Sequence, residues 1–121
     1  MSPEQWQQGV KADRQSDIWS VGVLLHRCVS GKLPFGEGEN HWTKIMMSVL
    51  NCEASPPCLI HDYDENLGVE IDPRLAYVVN RALDKEKCRR YKDAGHMLQE
   101  LQVVYQDIEV WACRFIIHTA R

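Results

Sequence analysis

The residues best suited to metal chemistry lie in the middle of this 121-residue chain. The acidic run from Asp62 to Gly68 has the alternating carboxylates of a calcium-binding loop. Such a loop requires glycine at its sixth position and glutamate at its twelfth, where this chain has Leu67 and Pro73. We therefore interpret the run as a solvated acidic loop.

A zinc site and a phosphate-binding loop are also weakly suggested. Cys52, Cys58 and His61 would supply three zinc ligands, but they form no Cys-x2-Cys pair and no fourth ligand is defined. The segment from Gly36 to Glu39 has two of the glycines of a phosphate-binding loop, but it lacks the third and carries carboxylates that would repel phosphate. The sequence predicts no metal ligands, no cofactor-binding residues and no catalytic residues in this chain.

The composition is typical of one soluble globular unit, with 45% hydrophobic and 26% charged residues. A net charge of -3 without a basic cluster argues against nucleic acid as a partner. The apolar stretch from Ile18 to Leu25 is too short to cross a membrane, and no secretory signal follows Met1. We expect a cytoplasmic protein whose cysteines are free buried thiols: Cys28, Cys52, Cys58, Cys88 and Cys113.

Periodicity and capping residues predict an all-α fold with no strand. We expect a short helical turn over residues 3–8 and helices over 17–30, 40–50 and 72–84, with a last helix that starts after Asp93. Ser16 is the expected N-cap of the second segment, and Gly31 is its expected end. Because apolar residues occupy nearly every face of that segment, it should be central and surrounded by other elements.

Four motifs in the same order resemble the catalytic domain of serine/threonine protein kinases. These are Ser2-Pro3-Glu4, the segment from Ser16 to Val23, the segment from Ser30 to Phe35, and the region from Ala82 to Leu98 that contains Arg90-Tyr91. The resemblance implies the C-terminal lobe, from the end of the activation segment to the last helix (αEF to αI in the family's nomenclature). It covers residues 1–101 as a partial kinase domain, followed by a helical C-terminal extension over residues 102–121.

The resemblance also implies structural roles for single residues. Glu4 and Arg90 match a buried ion pair that ties the activation segment to a loop near the last helices. Arg89 is the competing partner, and the following Tyr91 favours Arg90. Trp19 and Gly22 belong to the family's central-helix motif.

Asp17, Leu24 and Cys28 each have two interpretations. The aspartate that matches Asp17 holds the backbone of the catalytic loop in kinases, while a helix cap is the simpler role for a carboxylate there. Leu24 and Cys28 match positions that support the base of the nucleotide pocket. For these two residues we favour plain core packing.

Two helical surfaces are candidates for protein contacts. Trp42, Ile45, Met46 and Val49 line one face of a helix that in kinases often docks substrates or regulators (the family's αG), although core packing is the commoner use of such a stripe. A heptad-like set in the last helix would suit either packing on the domain, which we favour, or a dimer seam: Ala94, Leu98, Leu101, Tyr105, Ile108, Ala112 and Phe115.

The groups that transfer a phosphoryl group are absent from this sequence. It contains no glycine-rich G-x-G-x-x-G loop, no H-R-D catalytic loop and no D-F-G triplet. Met1 occupies a position that is usually hydrophobic in these kinases, so we expect a missing N-terminal kinase portion that would bind ATP and Mg²⁺. We predict a kinase fragment that is inactive alone; the alternative is a non-catalytic interaction module that uses the face around Trp42 and the last helix.

Overall fold

The computed structural model describes residues 1–7, 9–54 and 72–119. Over these ranges the chain is entirely helical and has no strand, which confirms the predicted all-α class with a long C-terminal helix. The elements are a first 3₁₀ helix (Pro3–Trp6), α1 (Arg14–Ser30), α2 (Trp42–Asn51), α3 (Pro73–Ala82), a second 3₁₀ helix (Lys87–Arg89) and α4 (Ala94–Thr119). The predicted acidic loop, Cys58 and His61 lie outside the described residues.

Helix α1 begins three residues earlier than predicted. Its N-cap is Asp13, whose side chain accepts hydrogen bonds from the backbone N–H groups of Gln15 and Ser16 at 3.0 and 3.2 Å. The prediction of Ser16 as the cap is therefore wrong. Its hydroxyl instead donates a hydrogen bond to the Glu4 carboxylate at 3.0 Å. The predicted end is confirmed: Gly31 has φ 71°, a left-handed conformation that glycine adopts without steric cost.

The core forms on the two sides of α3. One cluster joins Ile18 of α1 to α3 and α4 through Val78, Ala82, Tyr91 and Met97. The other joins Trp19 of α1 to α2 and to the segment before it through Phe35, Val49, Val79 and Leu83. Helix α3 is therefore the common neighbour of α1 and the rest of the molecule.

The close crossing of α1 and α3 depends on Gly22. A Cβ atom at that position would lie 2.8 Å from the Cβ of Ala82 and 3.2 Å from the side chain of Leu83. A real Cβ contact is never that short, so only glycine permits this separation of the two helices.

The prediction that α1 is surrounded by other elements is wrong for the described structure. Its inner side is buried, with Ile18 and Trp19 only 2% and 1% exposed. Its outer side is open to solvent along one stripe at helical spacing, which we call the outer face: Asp17, Val21, Leu24 and Cys28. An apolar sequence pattern shows which residues favour burial, but it does not supply the element that would cover them.

The cysteines also differ from expectation. Cys28, Cys52 and Cys88 are free, as predicted, but all three are exposed rather than buried. They lie on the open side of α1, at the end of α2 and in the second 3₁₀ helix. Cys58 and the side chain of Cys113 lie outside the described part of the chain.

Candidate functional site

The most completely bonded polar site joins the first 3₁₀ helix to the loop before α4. The guanidinium of Arg90 donates two parallel hydrogen bonds to the carboxylate of Glu4, each 2.8 Å long. Both residues are buried, with Arg90 1% exposed and Glu4 9% exposed. A two-pronged pair of this kind fixes orientation as well as distance.

The remaining polar atoms of this ion pair are also satisfied. Arg90 donates to the backbone carbonyls of Asp84 at 2.7 Å and Gln15 at 3.2 Å, and its guanidinium lies 4.9 Å from the ring centre of Trp19. The carboxylate of Glu4 accepts a further bond from Ser16. These bonds offset much of the cost of removing both charges from water, so breaking the pair on one side would leave a buried charge uncompensated.

The ionisation of Glu4 reflects this environment. Burial alone raises the pKa of the carboxyl, but the hydrogen bond from Arg90, assisted by smaller contributions from a backbone N–H and Ser2, lowers the pKa to about 2. Glu4 is therefore a carboxylate in the folded protein at all ordinary pH values.

Arg89 and Arg90 are adjacent in sequence but lie in different surroundings. Arg90 is followed by Tyr91, whose hydroxyl donates to Glu100 at 2.5 Å and whose ring lies 4.3 Å from the guanidinium carbon of Arg81. Tyr91 and Arg90 are both buried, whereas the side chain of Arg89 is exposed. Burial, together with the hydrogen bond to Glu100, raises the pKa of Tyr91, so its hydroxyl stays a donor.

Two residues near this site were not predicted from the sequence, Gln5 and Lys85. Ser2 and Gln5 form a capping box in which the Ser2 backbone N–H donates to the Gln5 side chain at 2.8 Å, and this box holds the helix that carries Glu4. The spacing of Ser2 and Gln5 is the sequence signal that would have revealed it. Lys85 lies 4.1 Å from the ring centre of Phe35, and nothing local in the sequence indicates that contact.

The outer face of α1 contrasts with the ion pair. Val21 is 41% exposed and Leu24 is 64% exposed, and among the described residues nothing bonds to the carboxylate of Asp17. The expectation that Leu24 and Cys28 are plain core residues is therefore wrong. Asp17 is also not the N-cap of α1, since Asp13 occupies that position.

The predicted docking face of α2 is divided between core and surface. Val49 is buried and Ile45 packs against the Trp19 cluster, so these two are core residues. Trp42 is 65% exposed, and Met46 is half-buried. The exposed apolar residues of α2 are Trp42, Met47 and Leu50, which we call the α2 patch. Met47 was not predicted, because a stripe drawn from hydropathy alone does not show which side of the helix faces the core.

Trp42 is supported from beneath by Trp6. The two rings stack with centres 6.5 Å apart and planes at 15°. The indole N–H of Trp6 is buried and has no hydrogen-bond partner within the described residues. An unsatisfied donor therefore lies next to the α2 patch.

Known proteins that are similar to this chain indicate the family to which these sites belong. No family model matches the chain. The probable serine/threonine-protein kinase PknB of Corynebacterium glutamicum is 31% identical over 98% of this chain and 18% of its own length. The PknB homologue of Lactococcus lactis is 31% identical over 84% of the chain and 14% of its own length. The kinase pkn3 of Myxococcus xanthus is 33% identical over 86% of the chain and 18% of its own length.

This chain is a C-terminal-lobe region of the serine/threonine protein kinase family. It spans less than a fifth of each of these three kinases. The match agrees with the order of the motifs and with the helical architecture.

The last helix of this kinase region packs on the domain through a stripe that shares only Leu101 with the described part of the predicted heptad set. Met97 and Val104 face the core, whereas Leu98 and Tyr105 are 52% and 65% exposed. An ion pair from Arg74 of α3 holds Asp107, so α4 remains attached to the domain beyond residue 101. The side chains of Ile108, Ala112 and Phe115 lie outside the described part.

The described kinase region offers no metal ligands. Over residues 1–7, 9–54 and 72–119, no group of three or more His, Cys, Asp and Glu side chains is placed to hold an ion. The helices of those ranges also include none that is long and apolar enough to cross a membrane.

Proposed function

We propose that this chain works as the C-terminal-lobe part of a serine/threonine protein kinase and does not transfer a phosphoryl group by itself. ATP and Mg²⁺ are implied for the whole kinase. Holding them takes a glycine-rich loop, a positioned lysine and metal-binding carboxylates, and the motifs that supply these are absent from this sequence. The donor groups that the structure describes therefore do not fit a nucleotide–metal site.

The observation that carries this proposal is the outer face of α1. A stripe of exposed apolar side chains with a carboxylate at one end is costly for an isolated domain, because it leaves apolar surface in water. In kinases the positions that match Asp17, Leu24 and Cys28 meet the catalytic loop and the base of the nucleotide pocket. The outer face is thus suited to receive the catalytic part of the kinase.

A chimera tests the proposal directly. This chain would replace the matching segment of the Corynebacterium glutamicum PknB kinase, and transfer of phosphate from ATP to a protein serine or threonine would be measured. We expect the chimera to be active and the chain alone to be inactive, with no thermal shift in Mg-ATP. A folded but inactive chimera would contradict the proposal, as would nucleotide binding by the chain alone.

Asp17 supplies a sharper version of this test. In the isolated chain Asp17→Ala should leave stability nearly unchanged, because the side chain is exposed and bonds to nothing that the structure describes. In the chimera the same change should lower phosphate transfer. A matched control is Glu86→Ala, which also removes an exposed carboxylate but lies away from the outer face. Equal loss of activity in both variants would contradict an anchoring role for Asp17.

A second candidate function is supported by the α2 patch. Trp42 is exposed, rests on Trp6, and shares the surface of α2 with Met47 and Leu50. Such a cluster suits a protein partner, because tryptophan contributes large contact area at interfaces. We propose that this patch contacts a protein substrate or a regulator.

Comparison of two substrates separates docking from catalysis. In the chimera, Trp42→Ser should lower kcat/KM for a folded protein substrate and leave the value for a short peptide unchanged. Lys44→Ser, at an exposed position of the same helix, is the matched control. If both substrates lose activity equally, Trp42 supports the fold and not docking. If the chimera is inactive but Trp42→Ser weakens binding of the protein, the chain is an interaction module.

A further inference from the structure

Lys85 lies where three parts of the molecule meet. Its ammonium group donates a hydrogen bond to the backbone carbonyl of Val49 in α2. The same nitrogen lies 4.1 Å from the ring centre of Phe35 and 5.6 Å from that of Trp19. One cation therefore connects the loop after α3 to the end of α2 and to the stacked pair that Trp19 of α1 forms with Phe35.

The bond to Val49 satisfies one of the free carbonyl groups at the C-terminal end of α2. The last four carbonyl groups of a helix have no partner within the helix, and the helix dipole makes that end negative. The Cys52 N–H takes the carbonyl of Ser48 at 2.9 Å, and Lys85 takes the next one. Cys52 is the C-cap residue of α2, and Lys85 adds a donor to the helix end from a distant part of the chain, so its effect depends on both its charge and its N–H donors.

Charged side chains of both signs surround Lys85. Burial lowers the pKa of Lys85, Glu53 and Cys52 oppose this effect, and Arg90 adds to it. The side chain is half-buried and lines a cavity of about 570 Å³ together with Glu53, Asn80, Asp84, Glu86 and Arg89. The amine can therefore be reached by a small reagent from the cavity, although it is bonded on its other side.

We propose that Lys85 is an acylation site and that its acylation releases the C-terminal half of α2 from the domain. The neutral amine attacks the carbonyl carbon of an acyl thioester. A nitrogen–carbon bond forms, the carbon–sulfur bond breaks, and the thiol leaves with the proton that the nitrogen loses. The product is an uncharged amide with one N–H in place of three.

Three stabilising contacts are lost together in the acylated form. The amide carries no positive charge for the negative end of α2 or for the faces of Phe35 and Trp19. Its added acyl group also needs space beside Val49, which is only 6% exposed. Because the α2 patch lies on this helix, acylation would also move or loosen the surface that we propose as a protein-docking site. This step does not depend on the kinase assignment, since it follows from contacts within the described fold.

Acetylation of the folded chain tests the inference. The purified protein would be incubated with acetyl-coenzyme A at mildly alkaline pH, the modified lysines would be identified by peptide mass spectrometry, and amide hydrogen exchange would be followed in both forms. We expect acetyl-Lys85, with amides over residues 46–52 exchanging about tenfold faster or more and those of α3 unchanged. Failure of Lys85 to react under conditions that acetylate Lys44 would overturn the inference, and so would acetylation without faster exchange.

Substitutions separate the effect of charge from that of damage to the fold. Lys85→Gln should reproduce the faster exchange in α2, whereas Lys85→Arg, which keeps the charge and the donors, should retain most of the protection. Lys44→Gln removes an exposed charge from α2 itself and should have no effect beyond its own position. Equal exchange in the glutamine and arginine variants would show that the charge on residue 85 does not hold α2.

Discussion

The inner and outer sides of α1 differ in how they are covered. On the inner side Ile18 and Trp19 are almost fully buried, and the Glu4–Arg90 pair beside them has its polar atoms bonded. On the outer side Val21 and Leu24 are exposed apolar residues, and the described residues place no partner on Asp17. Within the described structure, α1 is thus buried on its inner side and exposed on its outer side.

The two sides of α1 therefore have to be tested by different measurements. The inner side is stabilised by residues of this chain, so its energetics can be measured in the chain alone. The outer side has apolar residues of the kind found in a core, but no described element covers them. We therefore expect their role to be measurable only when a partner is bound. Mutations on the two sides should therefore give opposite patterns of stability and activity.

The largest expected effect comes from breaking the buried ion pair. Glu4→Ala and Arg90→Ala should each lower the free energy of unfolding by about 3–5 kcal/mol, because each leaves an uncompensated buried charge. Arg90→Ala should cost more, since Arg90 also bonds to the carbonyls of Asp84 and Gln15. Urea denaturation of the single and double variants measures the effect, and the double change should cost less than the sum. Arg89→Ala, at the exposed neighbouring position, is the control; strictly additive losses would contradict the coupling.

Acid should weaken the inner side through the same pair. The pKa of Glu4 is about 2 in the folded protein, whereas a glutamate side chain in the unfolded chain has its ordinary pKa of 4.5. The folded state therefore favours the carboxylate form. Its contribution, about 3 kcal/mol, is complete above pH 4.5 and is lost as the pH falls toward 2. The stability difference between the wild type and Glu4→Gln should therefore shrink over this range in urea titrations. A difference that stays constant with pH would show that Glu4 is not the titrating group.

A methyl group at Gly22 should reduce stability by about 1–3 kcal/mol. In an exposed helix Gly→Ala is stabilising by up to about 1 kcal/mol, but here the added carbon would meet Ala82 at 2.8 Å. Thermal unfolding of Gly22→Ala measures the balance. Ser20→Ala, an exposed change in the same helix, should be close to neutral. A Gly22→Ala variant that is more stable than the wild type would show that α1 and α3 can move apart without cost.

The smallest effect on stability is expected from the outer face. Leu24→Ser should change the free energy of unfolding by less than about 0.5 kcal/mol, since Leu24 is already exposed. The matched inner-face change, Ile18→Ser, should cost at least about 3 kcal/mol. Binding of a hydrophobic dye to the folded chain should fall in Leu24→Ser. If Leu24→Ser destabilises the chain as strongly as Ile18→Ser, the outer face is covered within this chain and the comparison between the two sides fails.

Several features could be predicted because they depend on neighbouring residues. The helical class follows from periodic apolar residues, and Gly31 ends α1 because its left-handed conformation is open to glycine. Asp93 likewise accepts the His96 N–H at 2.8 Å at the start of α4, as a capping residue should. The partnership of Glu4 and Arg90 was expected only from the resemblance to kinases, because no local rule joins residues 86 positions apart.

Other features were set by contacts that the local pattern does not contain. Ser16 has the residue type of a helix cap, yet Glu4 takes its hydroxyl and Asp13 caps the helix instead. The stripe on α2 was divided because Val49 and Ile45 turn toward Trp19 and Trp42 does not. Lys85 has no special neighbours in sequence, and its contacts with Phe35 and Val49 exist only in the folded chain.

By itself, the sequence determined where helices form and which residues favour burial, because helix periodicity and capping act within about one turn of the chain. Its ordered motifs also determined the kinase family. Only the tertiary structure decided which side of α1 is covered and which atoms of the Glu4–Arg90 site are satisfied. The reason is that burial and hydrogen bonding are properties of pairs of surfaces, and each surface here is completed by residues far away in the sequence.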